Sequence, residues 1–432
     1  MKRLVSLLLT MVMLFGLLFS QTACAASPPD AISALDRIEP HAPEAIGFSD
    51  DQATRANREA NPISAAAEKA LNQFAYKTAS SILNTPAANA CYAPVSLYFA
   101  LALAGSGANG KTQNELLGLL GFASAAKLAE QSGNVYRQLY TDNEITKLKI
   151  ANSLWLDEEY DGQPVRFKEP FVRNAVDTYY SALYKVDFAK ESAGQAMAQW
   201  IADATNQTLN PIFEPDPDMI MSIINTVYFR DEWITSFDAS LTQPDTFRLA
   251  DGKTVTCAFM NRQKSLGTFS NGDGFTRSAL LLKSNASMIF VLPDADTDLA
   301  DLLSRPARLK DAFEGGQETY GQITWKIPKF ICDSQFELVD TLKALGVRAA
   351  FEKTADFSGI TDHLAYISSI VQNTHMAIDE NGVEASAFSK SDFYGAPIPN
   401  GQADMILDRP FLYGIRSATG QLLFIGVCGN PG

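Results

Sequence analysis

Residues that bind metals or form disulfide frameworks are scarce in this sequence. Its 432 residues include only three histidines and five cysteines, and neither an H-E-x-x-H nor a C-x-x-C pattern occurs. Without these spacings nothing indicates a zinc site or a dense set of disulfides. We therefore expect no metal and no other cofactor, and we expect the cysteines to be buried free thiols. Outside the N-terminal segment these residues are His41, His363, His375, Cys91, Cys257, Cys332 and Cys428.

Positive charge is also in short supply. The chain has 35 lysines and arginines against 49 acidic residues, which gives a formal net charge of −14. Polyanions bind through basic patches, and an acidic chain repels them. We therefore expect no nucleic acid, anionic membrane or glycosaminoglycan as a partner.

Long apolar runs are missing except at the N-terminus. There Lys2 and Arg3 precede sixteen uncharged, mostly apolar residues from Leu4 to Phe19. This run is shorter than the ~20 residues that a membrane-spanning helix needs. Ala23 and Ala25 then form an A-x-A site, so residues 1–25 are predicted to be a cleaved secretory signal and the mature protein to be extracellular. Its loss removes the two basic residues and changes the formal charge from −14 to −16.

A second interpretation of the leader stays open. Cys24 could carry a lipid and anchor a membrane lipoprotein, although Gln21 stands where such a signal usually has a branched aliphatic residue. The A-x-A pattern favours free secretion.

Residues 26–62 have the composition of a solvated tether. They contain five prolines, Phe48 is their only aromatic residue, and acidic residues outnumber basic ones. We predict that this segment is disordered. Residues 63–432 are apolar and aromatic throughout, and by length alone they could form one large domain or two closely joined ones.

Helical patterns come early in the chain and strand patterns late. A helical face runs from Ala67 to Ile82, and Pro94 begins a second helix that covers Val95 to Ala104. Later runs rich in β-branched and aromatic residues predict strands, and the fold class is α+β with helices packed on large, mostly antiparallel sheets. These strands are Ile220–Phe229, Ala279–Lys283, Ala286–Leu292, Ile323–Ile327, Ile367–Ile378, Met405–Ile415 and Leu422–Cys428.

One motif suggests an enzyme. Residues 105–112 read GSGANGKT and match the phosphate-binding pattern G-x-x-x-x-G-K-[S/T]. A phosphate loop follows a strand, whereas this segment follows the helical run SLYFALALA. We interpret Gly105 and Gly107 as positive-φ residues that end a helix, and Thr112 to Glu115 as a capping box that begins the next. A P-loop NTPase is therefore rejected.

The most informative segment is an unusually long loop, DENGVEASAFSKSDFYGAPIPNGQA, which covers residues 379–403. Loops of this length are usually functional or disordered. Its first half alternates as a strand with one buried face does. The small or apolar set is Val383, Ala385, Ala387, Ser389, Ser391 and Phe393, and the other is Glu384, Ser386, Phe388, Lys390, Asp392 and Tyr394. Because the loop ends in glycine, proline and asparagine, it is predicted to exist both as a strand and as an exposed tip.

Several motifs together resemble the serpins, a family of serine protease inhibitors. They are NACYAPVSLYFALAL, IINTVYFRDEWITSF, AIDENGVEASAF, DRPFLYGI and FIGVCGNP, and the resemblance covers Ser64 to Gly432. It implies one serpin domain over residues 63–432 with an exposed reactive-centre loop. With the leader, it favours a secreted, bacterial-type member of the family.

The resemblance also implies site residues. The hinge of the reactive loop would be Glu380, Gly382, Val383, Glu384, Ala385, Ser386, Ala387, Phe388 and Ser389. Ser96, Asn225 and Gln372 would form the shutter beneath a sheet. Trp233 would line the breach where insertion begins, and Lys329 would pair with Glu380. Three positions depart from the family: Ala93 stands in place of a serine, Gln372 in place of the shutter histidine, and Phe388 in place of an alanine.

The resemblance implies that the reactive loop acts as a substrate for the target protease. A protease cleaves it and forms an acyl-enzyme, and the cut loop then inserts as a strand, so the chain supplies no catalytic residue. Serine proteases are the first expected targets and cysteine proteases the second, and we expect a monomer that can polymerise by loop–sheet insertion. The alternative is a non-inhibitory serpin that serves as a binding module.

The scissile bond has three candidates. Family spacing from Glu380 gives Ala396–Pro397, but a proline on the leaving side is a poor partner for most serine proteases because its φ is fixed. Gly395–Ala396 suits an elastase-like pocket. Tyr394–Gly395 suits a chymotrypsin- or subtilisin-like pocket, with the aromatic ring as anchor. We predict cleavage after Tyr394.

Overall fold

The computed structural model describes residues 36–84, 89–384 and 399–432. In this part of the chain, helices occur mainly in the first half and strands mainly in the second. The helices are α1 (Asp51–Ala60), α2 (Ala65–Ile82), α3 (Pro94–Gly107), α4 (Gly110–Leu120), α5 (Ala125–Leu139), α6 (Glu169–Asp177), α7 (Glu191–Ala204), α8 (Leu299–Leu303), α9 (Pro306–Glu314) and α10 (Val339–Ala344). The predicted α+β fold class is confirmed.

The described strands form two large sheets and one small hairpin. They are β1 (Asp36–Ile38), β2 (Ala90–Tyr92), β3 (Thr141–Asp142), β4 (Lys147–Asp157), β5 (Glu159–Tyr160), β6 (Gln163–Pro164), β7 (Ser181–Val186), β8 (Met221–Glu232), β9 (Gln243–Arg248), β10 (Thr254–Gly272), β11 (Phe275–Leu281), β12 (Ser287–Pro293), β13 (Gln317–Pro328), β14 (Phe330–Glu337), β15 (Ser369–Ile378), β16 (Gly382–Val383), β17 (Gln402–Ile406), β18 (Phe411–Arg416) and β19 (Leu422–Cys428).

The first sheet has the strand order β1-β7-β4-β8-β16-β15-β14, with β3 beside β4. It mixes antiparallel pairs with two parallel ones, β4 with β7 and β8 with β15. The second sheet has the order β17-β13-β10-β11-β12-β18-β19-β2, with β9 beside β10, and its one parallel pair is β13 with β17. Antiparallel pairing therefore predominates, as predicted.

Helix α3 lies in the middle of the core. All of its residues except Ser106 are buried, and it contacts β8, β4 and β19. A helix that is apolar on every side has to be surrounded by protein, and here the two sheets and the neighbouring helices cover it. Helix α3 packs against β8 on the inner face of the first sheet. Residues at the N-terminal end of α3 can therefore reach side chains of that sheet.

The predicted roles of Gly105 and Gly107 are wrong. Helix α3 continues through both, and the positive φ in this region is 55° at Gly110. Gly107 is instead required by packing, since a Cβ there would lie 2.3 Å from the Cγ1 of Ile360. A glycine can thus mark a close approach of two elements rather than a turn.

The predicted capping box is also wrong. Helix α4 begins at Gly110 after Asn109, so Thr112 is already helical. The Thr112 hydroxyl accepts a hydrogen bond from the backbone N–H of Asp356 at 3.0 Å. The Glu115 carboxylate accepts bonds from the N–H groups of Arg348 and Ala349, both at 2.7 Å. These side chains bind a distant loop instead of their own helix.

The predicted tether is wrong for the part of it that the structure describes. Strand β1 pairs with β7, helix α1 follows, and the Asn57 side chain donates a hydrogen bond to the Arg137 carbonyl at 2.8 Å. The Gln138 side chain donates to the Asn61 carbonyl at 2.5 Å. The composition predicted disorder because the segment has few apolar residues. It is ordered because it pairs with the edge of an existing sheet and bonds to the polar end of α5, so it needs no hydrophobic core of its own.

One predicted strand is divided in two. Residues 405–415 contain the end of β17 and most of β18, with Leu407 to Pro410 between them. Pro410 lacks a backbone N–H and directly precedes β18, and such a residue is disfavoured inside a sheet. The predicted single strand is therefore wrong, and Pro410 was the signal in the sequence for the break.

Candidate functional site

The first sheet is open at one end between β8 and β15. These strands pair in parallel from Ser222–Ser369 to Val227–Thr374, and beyond that point β16 lies between them. Gly382 is opposite Glu232, and Val383 is opposite both Asp231 and Ile378. The hinge of the long loop therefore occupies the first positions of a strand antiparallel to both neighbours.

The described part of the hinge has the predicted faces. The Val383 side chain points into the core and is fully buried, whereas Glu384 points to the opposite face of the sheet. At Glu384 the chain leaves the sheet with φ = 51°, a left-handed conformation that non-glycine residues rarely adopt. The predicted hinge residues Ala385 to Ser389 and the scissile-bond candidates Tyr394, Gly395, Ala396 and Pro397 lie outside the described residues.

The predicted shutter residues meet under this sheet. The Gln372 amide donates to Asn225 Oδ1 at 2.7 Å and to the Ala93 carbonyl at 2.9 Å, and its oxygen accepts from the Ala93 N–H at 2.9 Å. The Ser96 hydroxyl donates to the same Asn225 oxygen at 3.1 Å. All four residues are buried. The amide at position 372 thus uses both its donor and its acceptor groups to join β15, β8 and the start of α3.

Replacement of Gln372 by alanine is expected to destabilise the protein by roughly 2–4 kcal/mol. The change would leave the buried Ala93 N–H without its partner and would remove one of the two bonds accepted by the Ala93 carbonyl and by Asn225 Oδ1. A buried unpaired polar group costs about 1–3 kcal/mol. The thermal unfolding midpoint measures the effect. Gln335→Ala, on the exposed face of β14 in the same sheet, is the control. Equal midpoints for the two variants would contradict a structural role for the Gln372 bonds.

The predicted breach residues surround the beginning of the hinge. The Trp233 indole donates to the Asp379 carbonyl at 2.9 Å, and its backbone N–H donates to the Asn381 carbonyl at 2.8 Å. Lys329 Nζ lies 2.7 Å from Glu380 Oε2, so the ion pair implied by the resemblance is present. Thr242 donates to the other Glu380 oxygen at 2.8 Å. The turn before Val383 is therefore held by an indole, an ammonium group and a hydroxyl.

Electrostatics favour an ionised Glu380. Burial opposes ionisation, but the hydrogen bonds from Lys329 and Thr242 outweigh it and lower the pKa of the carboxyl below its ordinary value. A carboxyl with a lowered pKa adds stability above its ordinary pKa, and this contribution is lost as the pH falls through the lowered value. The Lys329–Glu380 contact therefore persists at neutral pH and weakens only in acid.

Asp231, an acidic residue that the sequence analysis did not select, lies beside the hinge as the register partner of Val383. Asp231 is fully buried next to Val383, and burial raises the pKa of its carboxyl to about 6, against the opposing effect of bonds from Ser284, Glu232 and Thr146. The adjacent Glu232 forms a 2.6 Å ion pair with Lys283, and both side chains are only 9% exposed. In the sequence, the dipeptide Asp-Glu at the end of an apolar strand was the available signal.

A second missed residue is His375. In the sequence it is only one of three histidines without metal-ligand spacing, but in the structure it lies on β15 between Asp333 of β14 and Glu384 after β16. Its Nε2 is 3.0 Å from Glu384 Oε1, and its Nδ1 bonds the Asp333 carboxylate. Alternation along β15 places His375 on the face opposite to Gln372, but the sequence does not give the register that brings Asp333 to it.

The far end of the loop is attached to the second sheet. Strand β17 pairs in parallel with β13 from Gln402–Gln322 to Ile406–Lys326. The long loop is therefore fixed at both ends, by β16 in one sheet and by β17 in the other. One of these two anchors, β16, already begins a new strand in the first sheet.

Comparison with known proteins identifies this architecture. Residues 69–431 match the family model described as "Serpin (serine protease inhibitor)". The chain belongs to the serpin family. This serpin is 29% identical over 388 residues to Serpin-ZX of Arabidopsis thaliana, which covers 83% of this chain and 97% of the relative. It is 30% identical over 385 residues to Serpin-Z2B of Triticum aestivum, with 83% and 95% covered.

A solved structure agrees with the fold. Arabidopsis AtSerpin1, described as being in its native stressed conformation, superposes with a TM-score of 0.73 and 27% identity over 84% of this serpin and 98% of that chain. The family membership makes this chain a serine protease inhibitor and not an enzyme. The individual roles of the hinge, shutter and breach residues stay predictions, although the described ones lie where the resemblance implied.

Proposed function

We propose that this serpin inhibits a chymotrypsin- or subtilisin-like serine protease and that Tyr394–Gly395 is the bond attacked. The observation that carries the proposal is the place for another strand between β8 and β15, which Gly382 and Val383 have entered. Insertion of the cut loop would complete the sheet and move its end by ~3.3 Å per residue. That movement would displace an enzyme joined to the end.

The shutter geometry supports gated insertion. If the register of β16 continues, Ser389 would lie opposite both Asn225 and Gln372, because Val383 is opposite Asp231 and Ile378. The 2.7 Å bond between these two amides would then have to break as the strand advances. The small hydroxyl of Ser389 could bond to the separated amides in its place.

The bond that is cut is predicted to be Tyr394–Gly395. The aromatic ring suits an apolar pocket, whereas Pro397 disfavours the bond that family spacing selects. Incubation with a panel of serine proteases, read on a denaturing gel for covalent complexes, identifies the target class. Mass spectrometry of the released C-terminal peptide then gives its first residue. A peptide that starts at Gly395 is expected, and one that starts at Ala396 or Pro397 would refute the assignment to Tyr394.

The same gel also tests the other candidate target proteases and the non-inhibitory role. Complexes with elastase-like enzymes alone would favour Gly395–Ala396, and complexes with cysteine proteases would indicate the second target class. Cleavage by every protease without any covalent complex would favour the non-inhibitory binding module. The same preparations, run by size-exclusion chromatography, test the monomeric state and loop–sheet polymerisation after heating.

We further propose that the protein is secreted after removal of residues 1–25. In the part of the chain that the structure describes, no helix is long and apolar enough to cross a membrane. N-terminal sequencing of the exported protein is expected to begin at Ala26, whereas a blocked, lipid-modified Cys24 would establish the lipoprotein instead. The bacterial-type origin stays a prediction, since the curated relatives named above are plant proteins.

A further inference from the structure

Three side chains form a compact cluster on the outer face of the first sheet, directly beside the hinge. His375 projects from the middle of β15, Asp333 is its register partner on β14, and Glu384 is the first residue after β16. The side chains of His375 and Glu384 are only 16% and 11% exposed. The cluster therefore joins an edge strand, a strand of the opening and the end of the hinge strand.

The hydrogen-bond geometry of this cluster favours a charged imidazole. Nε2 faces Glu384 Oε1 at 3.0 Å, and Nδ1 faces a carboxylate oxygen of Asp333. Ionised carboxylates only accept hydrogen bonds, and a neutral imidazole has only one N–H. Both contacts are satisfied together when His375 carries two protons, so the contacts favour the imidazolium.

Other titratable and charged groups lie near the cluster. Across the opening, β8 presents Tyr228 and Arg230, and Glu384 lies close enough to Tyr228 to help raise the pKa of its hydroxyl, although burial is the larger cause. The bond to Glu384 raises the pKa of His375 above its ordinary value; burial opposes this effect, and the bond to Asp333 adds to it. Asp231 titrates nearby but points to the inner face with Val383.

The cluster holds Glu384 in a conformation that insertion has to undo. At φ = 51° the backbone of Glu384 turns the chain out of the sheet, and a strand needs a negative φ there. The Glu384 N–H already donates to the Ala377 carbonyl at 3.0 Å, so Glu384 is in register with β15. If the register of β16 continues, Glu384 would also pair with β8 opposite Arg230, and Ser386 would lie opposite His375. Arg230 would then compete with His375 for the Glu384 carboxylate, and the Ser386 hydroxyl would compete with Glu384 for Nε2 of His375.

We propose that His375 is a pH-dependent latch on the hinge, which restrains loop insertion while its bond to Glu384 is intact. The proposal rests on the proposed inhibitory function. Because the pKa of His375 is raised in the latched state, the restraint is complete below the pKa that His375 has after insertion. It is lost as the pH rises through the higher pKa of the latched state. Insertion should accordingly be slower in mild acid than in mild base.

The first experiment needs no protease target. The pKa of His375 is measured by NMR titration of the imidazole protons in the uncleaved protein, with assignment by His375→Gln. It is expected to be lower in Glu384→Gln, which keeps the side-chain shape and removes the charge. It is also expected to fall when the loop is cut and inserted. An unchanged pKa in Glu384→Gln, or an unchanged pKa after insertion that a raised thermal midpoint has verified, would overturn the proposal.

The second experiment measures the restraint itself. Slow insertion lets more inhibitor be consumed as substrate, so the number of inhibitor molecules used per protease reports on insertion. The ratio of this number for wild type to that for Glu384→Gln cancels the pH dependence of the protease and the titration of Asp231. We expect a ratio several-fold above one at pH 6 and near one at pH 8.5, with the transition at lower pH in Asp333→Asn.

The two experiments separate the failure of the latch from the failure of the function. A ratio of one at every pH would overturn the latch even if the protein is an inhibitor. A protein that forms no covalent complex and gains no stability on cleavage would refute the inhibitory function. In that case the titration of the uncleaved protein still decides whether Glu384 holds the proton on His375.

Discussion

A single cut in the reactive loop is expected to raise the thermal unfolding midpoint by roughly 10–20 °C. Insertion would convert about ten residues after Val383 into a central strand, with backbone hydrogen bonds to β8 and β15 at ~1 kcal/mol each. A gain of ~10 kcal/mol corresponds to such a shift in a domain of this size. Differential scanning calorimetry of uncut and cut protein measures it.

The control for this experiment is a cut outside the loop. Nicking at a different exposed site should lower the midpoint or leave it unchanged, because no strand is added. If clean cleavage at Tyr394–Gly395 also leaves the midpoint unchanged, the loop does not insert. The chain would then be a binding module that has the serpin fold but does not insert its loop.

Replacement of Ala387 by arginine is expected to convert the inhibitor into a substrate. If the register of β16 continues, residue 387 would lie opposite Val227 and Thr374, where β8 and β15 now pair directly. Both of these residues are buried, and an unpaired charge forced beside them would cost several kcal/mol. The denaturing gel should show cleaved serpin accumulating at the expense of the covalent complex.

Phe388→Arg is the matched control, because it adds the same charge one residue further along. Alternation from the buried Val383 places residue 388 on the outer face, opposite Thr226 and Asn373. Thr226 and Asn373 are buried as well, but both side chains are polar and can accept hydrogen bonds from the guanidinium, whereas Val227 beside residue 387 cannot, so less of the complex should be lost. Equal loss of complex in both variants would show that the assignment of faces, or the register, is wrong.

The helices and central strands could be predicted from the sequence because their burial follows simple periods. Residues 422–428 form β19 as predicted, and α2 differs from the predicted Ala67–Ile82 only at its first turn. The shutter could be located only through family resemblance, since nothing in the spacing of Ser96, Asn225 and Gln372 brings them together. Their contacts depend on how α3 crosses the sheet, which is a tertiary property.

The features that the sequence did not predict depend on strand register or on contacts with surfaces of other elements. The pairing of His375 with Asp333 follows from the alignment of β14 with β15, and a shift by one residue would place Asp333 on the other face. Helix α1 has an N-cap at Asp50 and contains no buried residue, so its composition resembles that of a disordered segment. Its position is fixed by amide groups at the end of α5, which composition does not reveal.

The short strand β1 affects whether molecules of this protein associate through the border of the first sheet. It covers β7 from Leu183 to Lys185 at one border of the first sheet, and the Glu39 carboxylate accepts a hydrogen bond from the Tyr184 hydroxyl beside it. An uncovered border strand is a template on which another chain can add itself and begin to aggregate. The segment before the serpin core thus covers the six-residue strand β7 with a border strand of only three residues, and short border strands are poor templates. A shortened chain that starts at Ser64 would expose β7 in crowded solution.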